Sequence, residues 1–434
     1  MPAYQQVKKQ INGLACVAKL KILNLDVDIL ETKLPGTSIP ILLVDCPTLF
    51  ERPGNPYINE QGQPWADNAQ RFALFCRAIV EVSLNKAQLD WAPNILHCND
   101  WHTGLACPLL HSEKDRPKII FTIHNLAYQG LFSHETFIDL QLPEELWSYD
   151  RVEYNGQLSF IKAGIVYADQ VNTVSPNYAK EIQTSKYGSG LEQLLQYHSS
   201  KLSGIINGIN EQEWNPETDK KIFSNYSTKN IHKKINNKTS LQKQLGLPID
   251  KDIPLFSVIS RIAEQKGIDL IISILSKLVT HKAQIVILGS GDKQLETSLI
   301  DAADSHSNQI AVKIGYDEAL AHKITAAADF FLMPSRYEPC GLNQMYSQRY
   351  GTIPIVRNTG GLADTVKNYT TINDSDNSTG IIFEGDSKKE LFDAIKVALS
   401  LYSNKETFAN IQLNAMHQNF SWKNSATQYL NMYL

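Results

Sequence analysis

Residues Pro334–Val366 read PSRYEPCGLNQMYSQRYGTIPIVRNTGGLADTV, and upstream of them Ser260–Gly267 read SRIAEQKG. The first stretch joins the end of an apolar run, Phe330–Pro334, to a helical pattern that starts at Gly341. A second apolar run, Ile353–Val356, leads through Thr359-Gly360-Gly361 into another helix at Leu362. Short apolar runs that alternate with helical patterns predict parallel strands buried on both faces. The same rhythm continues outward in both directions. Strands are expected at Pro254–Ser260, Gln284–Leu288, Gln309–Ile314 and Ile381–Phe383, and helices at Ile268–His281, Lys293–His306, Glu318–Ala328 and Lys388–Leu401. That is an α/β, doubly wound domain.

The first half repeats the scheme less regularly. Strands are expected at Ile39–Val44, Ile95–Cys98, Ile119–Ile123 and Gln170–Thr173, with helices at Ala66–Asn85, Thr103–His111 and Leu158–Ala168. The polar stretch Asn210–Ser240 reads as a boundary region, and its lysine-rich run Lys229–Lys238 as a solvated surface loop. Asn368–Thr379 reads as another polar loop. A chain of 434 residues suits two domains of about 200 residues each. Ligands of open α/β sheets bind at the carboxyl ends of the strands, so two such domains would face each other across a cleft.

Composition narrows the possible partners. The balance of 41 basic against 45 acidic residues gives a net charge of −4, which argues against nucleic acid and anionic membranes. There is no apolar leader and no run of spanning length. Six cysteines without a C-x-x-C pair argue against zinc and against a disulfide framework, and fit a cytoplasmic protein. Sequons at Asn225, Asn237, Asn368, Asn373 and Asn377 are what loops rich in Asn, Ser and Thr give by chance. Asp26-Val27-Asp28 and Asp374-Ser375-Asp376 mimic a metal-binding D-x-D by accident, the first in an extended, alternating segment and the second in a polar loop. Gly289-Ser290-Gly291 lacks the third glycine of a dinucleotide fingerprint.

Several strand ends carry polar groups of a particular kind. Arg261 and Lys266 follow the strand Pro254–Ser260; alone they read as solvated loop cations, but together they can neutralise a diphosphate. Thr359-Gly360-Gly361 is an ordinary strand-to-helix turn that could also bring backbone N–H groups to a phosphate. Glu338 leaves its strand just before Pro339-Cys340-Gly341. A carboxylate there can accept from sugar hydroxyls or stabilise an oxocarbenium-like centre. Asp100, His124 and Asn125 end strands of the first half, where a histidine more often satisfies a core hydrogen bond than catalyses.

These blocks, with HCNDWHTG at His97–Gly104, FTIHNLAYQG at Phe121–Gly130 and QLSFIKAGIVYADQVNTVSP at Gln157–Pro176, resemble the bacterial glycogen synthases and plant starch synthases. Those are retaining glucosyltransferases built of two Rossmann-like domains. The resemblance covers nearly the whole chain. It implies domains at 1–204 and 205–417, with 418–434 as a helix crossing back to the first. It also implies transfer of glucose from ADP-glucose to an α-1,4-glucan such as glycogen, without metal or cofactor.

By the same resemblance the catalytic groups are Glu338, His124 and Asp100. Arg261 and Lys266 hold the diphosphate with Thr359, Gly360 and Gly361. Tyr316 lies against adenine, Asn207 near the substrate, and Asn125, Cys340, Gly341 and Leu342 at the sugar. Tyr57 is a candidate acceptor contact, His102 could equally be structural, and the Cys340 thiol is expected to be buried and unreactive. Many relatives of this fold have a second Glu where this chain has Tyr346. Family members also begin with a strand and a Lys-x-Gly-Gly-Leu turn, a unit of roughly 30–45 residues that MPAYQQVKKQ does not supply. A non-catalytic remnant that binds nucleotide or glucan is therefore the alternative expectation. EPCGLNQ and HNLAYQG argue against a sucrose or trehalose-phosphate synthase type.

Overall fold

The computed structural model describes residues 1–11, 13–371 and 376–434. Asn373 and the pair Asp374-Ser375 fall outside the described residues. The chain forms two compact units: Met1–Thr173 with Ile182–Ser203 and Met432–Leu434, and Val174–Glu181 with Gly204–Asn431.

The second unit is a six-stranded sheet. Its spatial order is Ile310–Ile314, Gln284–Gly289, Leu255–Ile259, Phe330–Met333, Ile353–Arg357 and Ile381–Phe383. All five pairings between neighbours are parallel. Gln284–Gly289, Phe330–Met333 and Ile353–Arg357 are buried along their whole length, which explains their unbroken apolar runs. Strand order reverses between Leu255–Ile259 and Phe330–Met333, the neighbours that carry Arg261 and Glu338 beyond their carboxyl ends. Such a reversal point is where doubly wound sheets form a binding crevice.

The first unit holds a four-stranded sheet ordered Leu202–Gly204, Gln170–Thr173, Lys118–Ile123 and Ile95–Asn99. Ahead of it stands an antiparallel sheet, Ala15–Ile22, Leu25–Lys33 and Pro40–Asp45. Its first hairpin turns at Leu23 and Asn24, with φ of 51° and 64°. Both central residues are left-handed, the geometry a tight hairpin needs. Asp26-Val27-Asp28 belongs to this hairpin: Val27 is fully buried, while Asp26 and Asp28 alternate to the other face. A small antiparallel sheet, Leu131–Phe132, Gln157–Ser159 and Glu153–Tyr154, completes the unit.

The lysine-rich run is not a solvated loop. Thr228–Lys233 is a short 3-10 turn and Lys234–Gln244 a helix, with Lys234 and Lys238 buried in the second unit. Lys238 Nζ donates to Asp329 Oδ2 at 2.7 Å and to Tyr402 Oη at 2.9 Å. Lys234 Nζ donates to Thr352 Oγ1 at 2.7 Å and to the Ala326 carbonyl at 2.8 Å. A buried ammonium survives only when its N–H groups are so engaged. Even so, burial pulls Lys234 down to about 7.

Candidate functional site

In the second unit the loop after Leu255–Ile259 lies against the loop after Phe330–Met333. Gly267 makes this approach possible. It is left-handed (φ 70°), and a Cβ there would lie 2.2 Å from the Pro334 carbonyl oxygen. Lys266 Nζ then reaches Glu338 Oε2 at 2.5 Å, and Ser335 Oγ donates to the same oxygen at 3.1 Å. Glu338 is almost wholly buried. Arg261 stays exposed, with Nη2 donating to Gln265 Oε1 at 2.7 Å. From below, the buried Arg357 guanidinium donates to the Ser335 and Arg336 carbonyls and stiffens the loop that carries Glu338.

Beside this cluster lies a cavity of about 530 Å³, bordered by Arg261, Trp214, Tyr316, Asn343 and Tyr346. Tyr316 is 86% exposed, so its ring face is free to receive a flat ligand. On another wall Trp214 is sandwiched between His322 (3.7 Å, 14°) and Tyr346 (3.9 Å, 8°). Asp219 Oδ2 fixes that stack, accepting from Tyr350 Oη at 2.6 Å and pairing with His322 Nδ1 at 2.7 Å. Tyr346, which replaces the second Glu of other relatives, is thus a wall residue.

The Thr359–Gly361 turn differs from expectation. Its N–H groups are already engaged: Gly360 N–H donates to Glu181 Oε1 at 3.0 Å, and Gly361 N–H to the Glu338 and Pro339 carbonyls at 3.1 Å. Thr359 Oγ1 donates to the same Glu181 carboxylate. A Cβ on Gly360 would lie 1.9 Å from the Glu338 oxygen, and one on Gly361 would lie 2.2 Å from that of Cys340. The glycines therefore buttress the Glu338–Cys340 segment and do not hold out free donors to a phosphate. Gly341 is left-handed (φ 70°) and, with the exposed Leu342, precedes the helix Asn343–Arg349. Cys340 is buried, which pushes its thiol up to about 12, opposed by the Asn207 N–H that faces the sulfur. A thiol so placed is unreactive.

The first unit gathers Asp100, His124, Asn125 and Tyr57. Asp100 has φ 57°, a costly conformation for a non-glycine residue. Its Oδ1 accepts from His124 N–H at 2.8 Å and from Asn125 N–H at 3.4 Å. Asp100 thus fixes the backbone on which His124 sits. Burial raises its carboxyl, opposed by the charge and N–H of His124. His124 Nε2 pairs with Asn99 Oδ1 at 2.9 Å. Tyr57 packs on His102, ring centroids 4.9 Å apart. His102 is pushed down to about 4 by burial, with a lesser effect of His124, and its Nε2 has no hydrogen-bond partner among the described residues.

Comparison with known proteins agrees with this geometry. Residues 1–197 match the family described as starch synthase catalytic domain, and residues 239–415 match glycosyl transferases group 1. Glycogen synthase 1 of Methylococcus capsulatus is 50% identical over 93% of this chain and 82% of its own length. The chain belongs to the glycogen synthase family. The Cellvibrio japonicus glycogen synthase is 44% identical over 100% of this chain and 90% of its own length. Among solved structures, the catalytic domain of starch synthase IV from Arabidopsis thaliana, bound to ADP and acarbose, superposes with a TM-score of 0.85 at 31% identity. That match covers 98% of this chain and 87% of the other. A sucrose-phosphate synthase from Thermosynechococcus elongatus shares the fold alone, with a TM-score of 0.56 at 19% identity over 88% of this chain and 82% of the other. As a member of the glycogen synthase family the protein is a glycosyltransferase of the two-Rossmann type. It works with a nucleotide-sugar donor and a glucan acceptor. Among the described residues no helix is long and apolar enough to cross a membrane.

Some contributors gave no signal in the sequence. Trp214, Asn343, Arg357 and Glu181 matter through partners distant in the chain, and Ser335 through Glu338, three residues on. Only Arg357, at the end of an apolar strand, stands out by position.

Proposed function

We propose that the protein transfers glucose from ADP-glucose to the non-reducing end of an α-1,4-glucan with retention at the anomeric carbon. The observation that carries this is the juxtaposition of Arg261, Lys266 and the buried Glu338 at the sheet's reversal point, beside a cavity edged by Tyr316. Tyr316 would stack on adenine, and Arg261 and Lys266 would meet the diphosphate. Glu338, Asn207 and the Cys340–Leu342 backbone would hold the glucose; by the family resemblance His124, Asn125 and Asp100 are also assigned to sugar and Tyr57 to the acceptor.

In the reaction, the bond from C1 to the diphosphate oxygen breaks as the acceptor 4-hydroxyl oxygen bonds C1 on the same face. The hydroxyl proton passes to the leaving phosphate oxygen. Glu338 stabilises the positive charge that develops on the sugar, and the two cations stabilise the leaving group. The six cysteines are all free thiols, in keeping with a proposed cytoplasmic location. The test is incorporation of labelled glucose into glycogen from ADP-glucose and, in parallel, from UDP-glucose. Incorporation from ADP-glucose with retained α configuration is expected; equal or better use of UDP-glucose would overturn the donor assignment.

A further inference from the structure

In the second unit the four consecutive carbonyls from Glu338 to Gly341 find their donors in just two groups. Gly361 N–H donates to those of Glu338 and Pro339 at 3.1 Å, and Gln344 Nε2 to those of Cys340 and Gly341, also at 3.1 Å. No role described so far uses Gln344. It is fully buried on the helix Asn343–Arg349, and its Nε2 also donates to Thr365 Oγ1 at 3.0 Å. That oxygen accepts, because its own hydrogen goes to the Gly361 carbonyl at 2.6 Å.

This is not the arrangement that stability alone would select. Two amide hydrogens are shared among three acceptors, while Gln344 Oε1 is buried with no hydrogen-bond partner among the described residues. A buried acceptor left unmet costs free energy. The reverse placement of the amide would be worse, since it would set Oε1 against the Cys340 and Gly341 carbonyls. Gly341 admits the amide at this range: a Cβ there would lie 2.6 Å from Gln344 Oε1 and 3.1 Å from Glu338 Cγ.

The two carbonyl contacts fix the direction of two peptide planes. In a planar trans peptide the C=O and the N–H that follows it point opposite ways. Drawing the Cys340 and Gly341 carbonyls onto Gln344 therefore turns the N–H groups of Gly341 and Leu342 away from it. Among the described residues neither of these N–H groups donates to a protein acceptor, unlike those of Gly360 and Gly361. We propose that Gln344 is a positioning residue for the transfer: by clamping two carbonyls it aims the Gly341 and Leu342 N–H groups at the glucosyl group of the donor. Gln344 itself touches neither substrate. The inference rests on the proposed function for what these N–H groups meet.

The test compares two ligands on one variant. Gln344→Met keeps the length of the buried side chain and removes its donor. Its kcat/KM for ADP-glucose should fall about 10²-fold, the scale of losing one preorganised donor. Its calorimetric affinity for ADP should stay near wild type, because Tyr316 and Arg261 are untouched. Gln344→Glu, of the same shape, should show the same split, and it decides the matter if the Met variant does not fold. Gln348→Met is the structural control. Gln348 is equally buried, and its Nε2 donates to the Gln344 carbonyl at 3.2 Å and the Thr365 carbonyl at 3.0 Å, but to none from Glu338 to Gly341. It should lower the melting temperature and leave kcat/KM close to wild type. Equal losses of ADP and ADP-glucose in the Gln344 variants, unchanged kcat/KM in them, or the same split in Gln348→Met would overturn the role. Failure of the wild type to use ADP-glucose would instead sink the donor assignment, and the same comparison with UDP and UDP-glucose would still decide what Gln344 does.

Discussion

Lys266 Nζ lies 2.5 Å from Glu338 Oε2, so the cation expected at the diphosphate and the carboxylate expected at the sugar are bonded to each other. Both are largely buried, with side-chain exposures of 17% and 8%. Removing one partner of such a pair strands the other charge, at a cost of roughly 3–5 kcal/mol. Lys266→Ala should therefore lower stability as well as donor affinity, and adding Glu338→Gln should recover part of the stability but none of the turnover. Denaturant melts of the two single variants and the double variant decide this. Additive losses would mean that the pair is not coupled.

Glu338→Gln alone should cut kcat by about 10²–10³, the usual effect of losing one preorganised electrostatic group. ADP binding should stay near wild type, because Tyr316 and Arg261 are untouched. Turnover within a few-fold of wild type would remove Glu338 from the chemistry.

Arg261 and Lys266 between them bring the charge that a divalent ion would bring. Arg261→Ala should raise the KM for ADP-glucose, while EDTA leaves the wild-type rate unchanged. Inhibition by chelator that magnesium reverses would contradict the role given to these cations.

Gly360→Ala should be more harmful than an ordinary glycine replacement. The methyl would press on the Glu338 carbonyl at 1.9 Å, from a residue with φ 45°. Overpacking of this kind costs about 1–3 kcal/mol, and it acts on the segment that aims the catalytic carboxylate. Loss of activity should exceed loss of stability when kcat and the melting temperature are compared. An active, stable Gly360→Ala variant would show that the close approach is not required.

Acid should destabilise the first unit in a defined window. Burial pushes His97 and His102 down to about 4 from an ordinary value of 6.5. Between those values the unfolded chain holds protons that the folded one does not, so stability is full above 6.5 and drains as pH falls towards 4. Melting temperatures across that range should show the slope, and His97→Gln should flatten part of it.

The central parallel strands of the second unit were legible because Gln284–Gly289, Phe330–Met333 and Ile353–Arg357 are short apolar runs buried along their whole length. Leu255–Ile259 and Phe330–Met333 could hardly be read otherwise. The hairpin at Ala15–Lys33 was harder, because its turn uses Leu23 and Asn24 and has no glycine to announce the left-handed backbone. Lys234 and Lys238 read as solvated because the groups that bury them, Thr352 and Asp329, lie 118 and 91 residues away. Likewise Thr359-Gly360-Gly361 has the local form of a phosphate turn. Nothing near it in sequence reveals that Glu181, 179 residues upstream of Gly360, already accepts its N–H.

The capture of Val174–Glu181 by the second unit has a practical consequence for dissecting the molecule. Ser175 Oγ and Asn177 N–H both donate to Asp364 Oδ2, at 2.6 Å and 2.9 Å, while Glu181 closes the turn at Gly360. A recombinant fragment starting at Gly204 would encode the six-stranded sheet but omit this eight-residue strap. The helix Gly360–Thr365 would then lose both its carboxylate cap and its polar anchor. Supplying the strap as a synthetic peptide, or grafting it through a linker, turns that weakness into a split-protein assay in which peptide docking reports on the integrity of the Glu338 loop.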